Sequence, residues 1–172
     1  MAAAPDPESA RTGHRTAVER RSDREVVVMR RFDAPARLVF EAWTRPELFQ
    51  QWWVPKSTGM ALLSCVMDVR PGGRYRLEFA HPRAPQPLAF FGRYLEVTPS
   101  SRLVWTNEES ADGPVTTVTL EEKDGRTLLV MSELHPTKAA LDIAIEGMAD
   151  GMPESFEQLA DFLAAGGGGA GR

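Results

Sequence analysis

The chain contains a single cysteine, Cys65, among 172 residues, so no disulfide can close within it, which suits a reducing cytoplasm. No apolar stretch approaches the length of a membrane span, and the first residues lack the apolar run of a signal peptide. Lysine is scarce: Lys56, Lys123 and Lys138 are the only ones among 20 basic residues. With a net charge of -4 and a pI near 5.5, the chain has no excess of positive charge to offer a nucleic acid. Signatures of catalysis are missing too. There is no Gly-x-Ser-x-Gly elbow, phosphate loop or dinucleotide fingerprint. His14, His81 and His135 fall in an N-terminal arm, a proline-rich loop and a strand end, and with one cysteine they make no zinc spacing. Glu108-Glu109 and Glu121-Glu122 are adjacent pairs on turns or strands and read as solvated surface. The residues therefore assign no catalytic group, no metal and no cofactor, and a non-enzyme is favoured.

What is present is a single domain. Hydrophobic residues make up 42% and charged residues 26%, enough to build a core without staples. Residues 1–23 read as a disordered arm in which Val18 is the only large aliphatic after Met1, and residues 165–172 as a flexible glycine-rich tail. Between them, residues 24–164 carry the fold. Glu25 to Phe32 is a β-branched run, hence a strand. Asp33-Ala34-Pro35 opens a short helix with Leu38, Val39, Ala42 and Trp43 on one stripe. Thr44-Arg45-Pro46 restarts a second, with Thr44 as its expected N-cap, holding Leu48, Phe49, Trp52 and Trp53. Strands follow over 60–70, 73–79, 88–97, 102–107, 115–122 and 127–133. Tyr75, Leu77 and Phe79 alternate with Arg74, Arg76 and Glu78, the pattern of an antiparallel sheet covered on one face. Asp124-Gly125 signals a hairpin. Leu141, Ile145, Met148, Met152, Phe156, Leu159 and Leu163 then recur at steps of three and four, a long amphipathic helix that Pro153 is expected to kink or break.

This order, strand, two short helices, antiparallel strands and a closing helix, predicts an α+β helix-grip (START-like) fold with a curved antiparallel sheet of about six or seven strands. Phe32-Asp33-Ala34-Pro35, Val39 to Thr44, Trp52-Trp53-Val54-Pro55-Lys56 and Asp68 to Gly73 resemble motifs of bacterial homologues of the activator of heat-shock protein 90 ATPase. Gly92 to Val97 and Arg102 to Thr106 continue the resemblance in order. It spans roughly residues 25–164 and implies membership of the START-like, or SRPBCC, superfamily. Members bind apolar molecules between sheet and helix, some are enzymes, and the eukaryotic co-chaperone uses such a domain against its chaperone. Val54 stands where the family usually has glycine, which bears on the local loop because valine disfavours positive φ.

A helix laid over a curved sheet can leave a cavity, and ligand sites are mostly apolar with a few placed polar groups. The candidate lining comprises Trp53, Met67, Tyr75, Phe79 and Phe91 from the first half of the sheet and its preceding turn. Trp105 and Met131 from the later strands and Met148, Met152 and Phe156 from the closing helix complete it. Methionine suits a lining that adapts to its occupant. Glu133 shares the inward face with Thr127, Leu129 and Met131 by alternation. It is the leading polar candidate, with Arg30 or Arg93 as partner and Tyr75 as a further group. The first reading is a cytoplasmic, non-enzymatic module binding a small hydrophobic ligand between the sheet and the C-terminal helix. The alternatives are a protein-interaction or co-chaperone-like module, and a cyclase- or hydrolase-type enzyme. Exposed strand edges leave monomer or homodimer open.

Overall fold

The computed structural model describes residues 15–111 and 113–166, so the expected arm at 1–14 and the tail at 167–172 lie outside the described residues. The strands are β1 (Ala17–Arg20), β2 (Glu25–Phe32), β3 (Ala61–Met67), β4 (Arg74–Ala80), β5 (Leu88–Thr98), β6 (Arg102–Thr106), β7 (Val115–Lys123) and β8 (Arg126–Leu134). The helices are α1 (Ala36–Thr44), α2 (Pro46–Phe49) and α3 (Lys138–Ala164), with a short 3-10 turn at Lys56–Thr58. One antiparallel sheet runs in the order β1-β2-β8-β7-β6-β5-β4-β3. This is the helix-grip arrangement, with eight strands rather than six or seven.

The additional strand corrects the expectation of an arm reaching residue 23. β1 pairs along its whole length with β2, and Ala17 opposite Met29 is fully buried. Four residues with one large aliphatic give too little periodicity to read alone; pairing with β2 supplies the order. Two further corrections concern the helices. Thr44 closes α1, its hydroxyl donating to the Phe40 carbonyl, and Arg45 occupies the N-cap of α2. Pro153 does not break α3, which is continuous over 27 residues. The bond that proline cannot make would go to the carbonyl of Ala149, an exposed residue within reach of water.

Alternation holds on the inner face. Tyr75, Leu77 and Phe79 are buried there, as are Thr116, Val118 and Leu120 of β7 and Thr127, Leu129 and Met131 of β8. Asp124 and Gly125 both take positive φ, 55° and 75°, matching the right-handed twist of the β7–β8 hairpin. Helix α1 begins without a side-chain cap of its own. Glu122 Oε1, from the far end of β7, accepts the Ala36 N–H at 2.7 Å instead.

Helix α3 packs on the β2 side of the sheet. Phe156 and Leu159 are fully buried, and Phe156 meets Phe32 edge-on at 5.9 Å and Trp43 at 6.2 Å. Each such side chain contributes about 1.5–3 kcal/mol by leaving water. Helix α1 lies over β7 and β8, and toward β3 the inner face lies under α2 and the Trp53–Met60 segment.

Candidate functional site

The covering of the sheet changes along its width, and an apolar pocket of about 270 Å³ lies under the shorter cover. Strands β3 to β6 contribute Met67, Leu77, Phe79 and Leu103, while Trp53 and Met60 close it from above. Its aromatic wall is built on Trp43. That ring meets Trp53 at 5.7 Å and Trp105 at 5.9 Å, and Trp53 stacks on Phe49 at 5.0 Å. Tryptophans 52 and 53 divide the work. Trp52 is fully buried and donates Nε1–H to the Ala42 carbonyl at 3.0 Å, fastening the two short helices together. Trp53, the next residue in the turn, faces the pocket. Phe90, half-exposed and edge-on to Phe79 at 5.3 Å, also borders the pocket.

The segment over the pocket is fastened by α3. Gln158 Nε2 donates to the carbonyls of Trp52 and Val54, both at 2.8 Å, and its Oε1 accepts the Lys56 N–H at 2.9 Å. Ser155 Oγ donates to the Trp53 carbonyl at 2.7 Å. Glu154 accepts from both the backbone and the hydroxyl of Ser57. These bonds from Ser57, side chain first, hold the Glu154 carboxyl below its ordinary range. Positive φ outside glycine occurs among the described residues only at Ser100 and Asp124, so Val54 is accommodated without that strain.

One end of the pocket is polar. Tyr75 Oη donates to the Thr106 carbonyl at 2.7 Å. Asn107 Nδ2 donates to the Pro114 carbonyl and to Thr116 Oγ1, both at 2.9 Å. Thr116 Oγ1 in turn lies 3.5 Å from Glu133 Oε2. His135 Nε2 stands 3.3 Å from Glu133 Oε1, close enough for attraction but out of line for a hydrogen bond. Burial pushes the Tyr75 phenol well above its ordinary value, and Glu109, Tyr94, Glu108 and Glu133 add to that. Gly92 faces Tyr75 across the β4–β5 ladder, and a Cβ there would fall 2.0 Å from the Thr106 carbonyl oxygen. A glycine is therefore required where that acceptor approaches.

Of the residues singled out from sequence, Trp53, Met67, Tyr75, Phe79 and Trp105 line this pocket. Phe91 does not: it pairs with Arg76 on the outer face, where the guanidinium sits 5.7 Å from its ring. Met131, Met152 and Phe156 are buried in the packed core, and Met148 packs against it half-exposed. The lining of this pocket includes no residue of α3, so the expected helix side of the site is not part of it. Glu133 points inward but touches Thr116 and His135 rather than an arginine. Arg30 instead pairs with Glu157 of α3 at 2.7 Å, and Arg93 with Glu108 at 3.2 Å. Trp43, Phe90 and Asn107 escaped the sequence reading. Stepping back by twos from Tyr94 would have selected Phe90. Among the described residues no group of three or more His, Cys, Asp or Glu is placed to hold a metal, and no helix is long and apolar enough to cross a membrane. Cys65 is half-buried, and burial first, then Glu47, pushes its thiol up to about 11, so it is not a reactive thiolate.

Residues 33–164 match the family model described as Activator of Hsp90 ATPase homolog 1-like protein. The chain belongs to that family. The match covers both short helices, β3 to β8 and α3. No curated protein matches the chain. Among solved structures, a protein from Rhodobacter sphaeroides is 26% identical with a TM-score of 0.79, over 87% of this chain and 98% of that one. Protein NE0264 from Nitrosomonas europaea is 25% identical with a TM-score of 0.76, over 84% of this chain and 96% of that one. Protein CV1439 from Chromobacterium violaceum is 28% identical with a TM-score of 0.69, over 82% and 97%. The Activator of Hsp90 ATPase homolog 1-like family and the helix-grip fold together support a ligand-binding or co-chaperone-like module.

Proposed function

We propose that this protein is a binding module for a small, mostly apolar molecule, held between β3–β6 and the α1–α2–Trp53–Met60 cover. The observation that supports this reading is the pocket of about 270 Å³ walled by Trp43, Trp53 and Trp105. A dry cavity of about 150 Å³ already takes up benzene. Burial of ligand surface supplies the affinity, and the Tyr75–Asn107 end orients the occupant. Chemistry on the ligand is not part of the proposal: Glu133 is absent from the pocket lining and accepts from Thr116 Oγ1 behind Asn107.

A thermal-shift screen of the whole protein against flavonoids, polyketides, sterols and fatty acids tests it, repeated with Met67→Trp to fill the pocket. A true ligand at a hundredfold excess over Kd adds about 2.7 kcal/mol of stability. The expected result is a concentration-dependent rise in melting temperature that Met67→Trp abolishes. A shift of equal size in that variant, or none with any compound, overturns the reading.

A second reading is a docking module for a protein partner, in keeping with the family's description. The unpaired edge of β3 supports it, since Leu63 and Val66 there are 55% and 64% exposed. On this reading Val66→Lys abolishes co-purification of the partner and leaves the melting temperature unchanged.

A further inference from the structure

We infer that the polar end of the pocket selects molecules that bring a hydrogen-bond donor, a hydroxyl or an N–H, and turns away carboxylates. The inference rests on the pocket reading above and adds the chemical class of the occupant. It follows from counting protons. The Tyr75 hydroxyl has one, and it is spent on the Thr106 carbonyl at 2.7 Å. Asn107 has two on Nδ2, and both are spent, on the Pro114 carbonyl and on Thr116 Oγ1. The amide cannot be turned over, because its oxygen would then face the Pro114 carbonyl, which is itself only an acceptor.

What remains unspent is Tyr75 Oη and Asn107 Oδ1, both acceptors. The phenol proton reaches Asn107 Oδ1 only as a long second contact at 3.4 Å, against 2.7 Å to the Thr106 carbonyl, so the amide oxygen is weakly satisfied. A ligand donor placed between Oη and Oδ1 completes both. At this end a ligand that brings only acceptors finds no free proton and loses its hydrogen bonds to water without replacement; the unpartnered donor of the lining, Trp43 Nε1–H, belongs to the aromatic wall.

Charge points the same way. No lysine, arginine or histidine is among the residues lining the pocket. The ionisable groups around its polar end are Glu133, behind Thr116 with His135 beside it at 3.3 Å, and Glu108 and Glu109, beside Asn107, with Arg93 on Glu108 at 3.2 Å; the carboxylates raise the Tyr75 phenol above its ordinary value after burial does. An anion entering would meet these carboxylates with no cation in the lining, Arg93 being already engaged by Glu108, so fatty acids are poor occupants despite their apolar chains.

Isothermal titration calorimetry on the whole protein at neutral pH decides this with three probes sharing one two-ring body. These are naphthol, its methyl ether and the matching naphthoate, all substituted at the same carbon. The expected order is naphthol tightest, the ether about tenfold weaker, and the naphthoate weaker still. In Tyr75→Phe and Asn107→Leu, each checked by thermal melting, the advantage of naphthol over its ether shrinks. Equal affinities for naphthol and ether, or a preference for naphthoate, overturn the inference and leave the pocket reading standing. So does an undiminished preference for naphthol in a folded variant. If none of the three binds the unaltered protein, both fall. The comparison on the unaltered protein is decisive by itself should a variant fail to fold.

Discussion

The two halves of the inner sheet face use aromatic residues to opposite ends. Under α3, Phe156 is fully buried and packs edge-on against Phe32 and Trp43. Under the short cover, Trp43 meets Trp53 at 5.7 Å and Trp105 at 5.9 Å, and the three rings wall an open volume instead of closing it. The long helix presents an unbroken stripe of side chains that interdigitate with the sheet. By contrast, α2 is four residues long and the chain beyond it is a turn held by its carbonyls, so it can roof the sheet but not fill the gap beneath. Hollowness here follows from the kind of cover, not from the composition of the lining.

Substitutions should separate the halves. Phe156→Ala leaves a hole where every neighbour was in contact, and is expected to lower the unfolding free energy by about 3–5 kcal/mol in urea titrations. Leu77→Ala removes a side chain that already borders empty space and forfeits fewer contacts, so about 2 kcal/mol is expected from the same titration. Equal costs would mean that the hollow half is packed as tightly as the other. Gly92→Ala drives a methyl group onto the Thr106 carbonyl. It should cost about 1–3 kcal/mol and weaken ligand binding through the displaced Tyr75 anchor, both measurable by melting with and without ligand.

Smaller effects probe the roof. Gln158→Ala unties three backbone groups of the Trp52–Lys56 segment, at about 1–2 kcal/mol, and hydrogen exchange at the Lys56 amide should accelerate while core amides on β8 stay protected. Acid should loosen the roof in a particular window. Glu154 is held below its usual 4.5 in the folded protein, so its contribution is complete above that value and drains away as pH falls through the lowered folded value. Trp53 fluorescence followed downward from neutral pH should change over that window. Glu154→Gln should flatten the change.

Much of the fold was legible because it rests on local periodicity. Alternation in β4, β7 and β8 and the α3 stripe are properties of consecutive residues. The site was legible only in part, because it depends on register between strands far apart in the chain. Phe90 and Phe91 are equally aromatic, and pairing of Leu77 with Phe90 decides which one turns inward. The polar end was harder still. Asn107 has meaning only through Pro114 and Thr116, across a turn, and through Tyr75 two strands away. β1 was invisible because its order comes from β2.

The cap on α1 has a bearing on how the chain is made. A nine-residue helix without a side-chain cap of its own is marginal in isolation. Its first amide waits for Glu122, and β2 waits for β8, whose Glu133 lies opposite Val26. On the ribosome, then, the opening third of this protein has only its own β1–β2 pairing and the contact between its two short helices until the last strands are made. Structure should arrive late and nearly all at once, when the β7–β8 hairpin emerges and closes the chain's beginning onto its end.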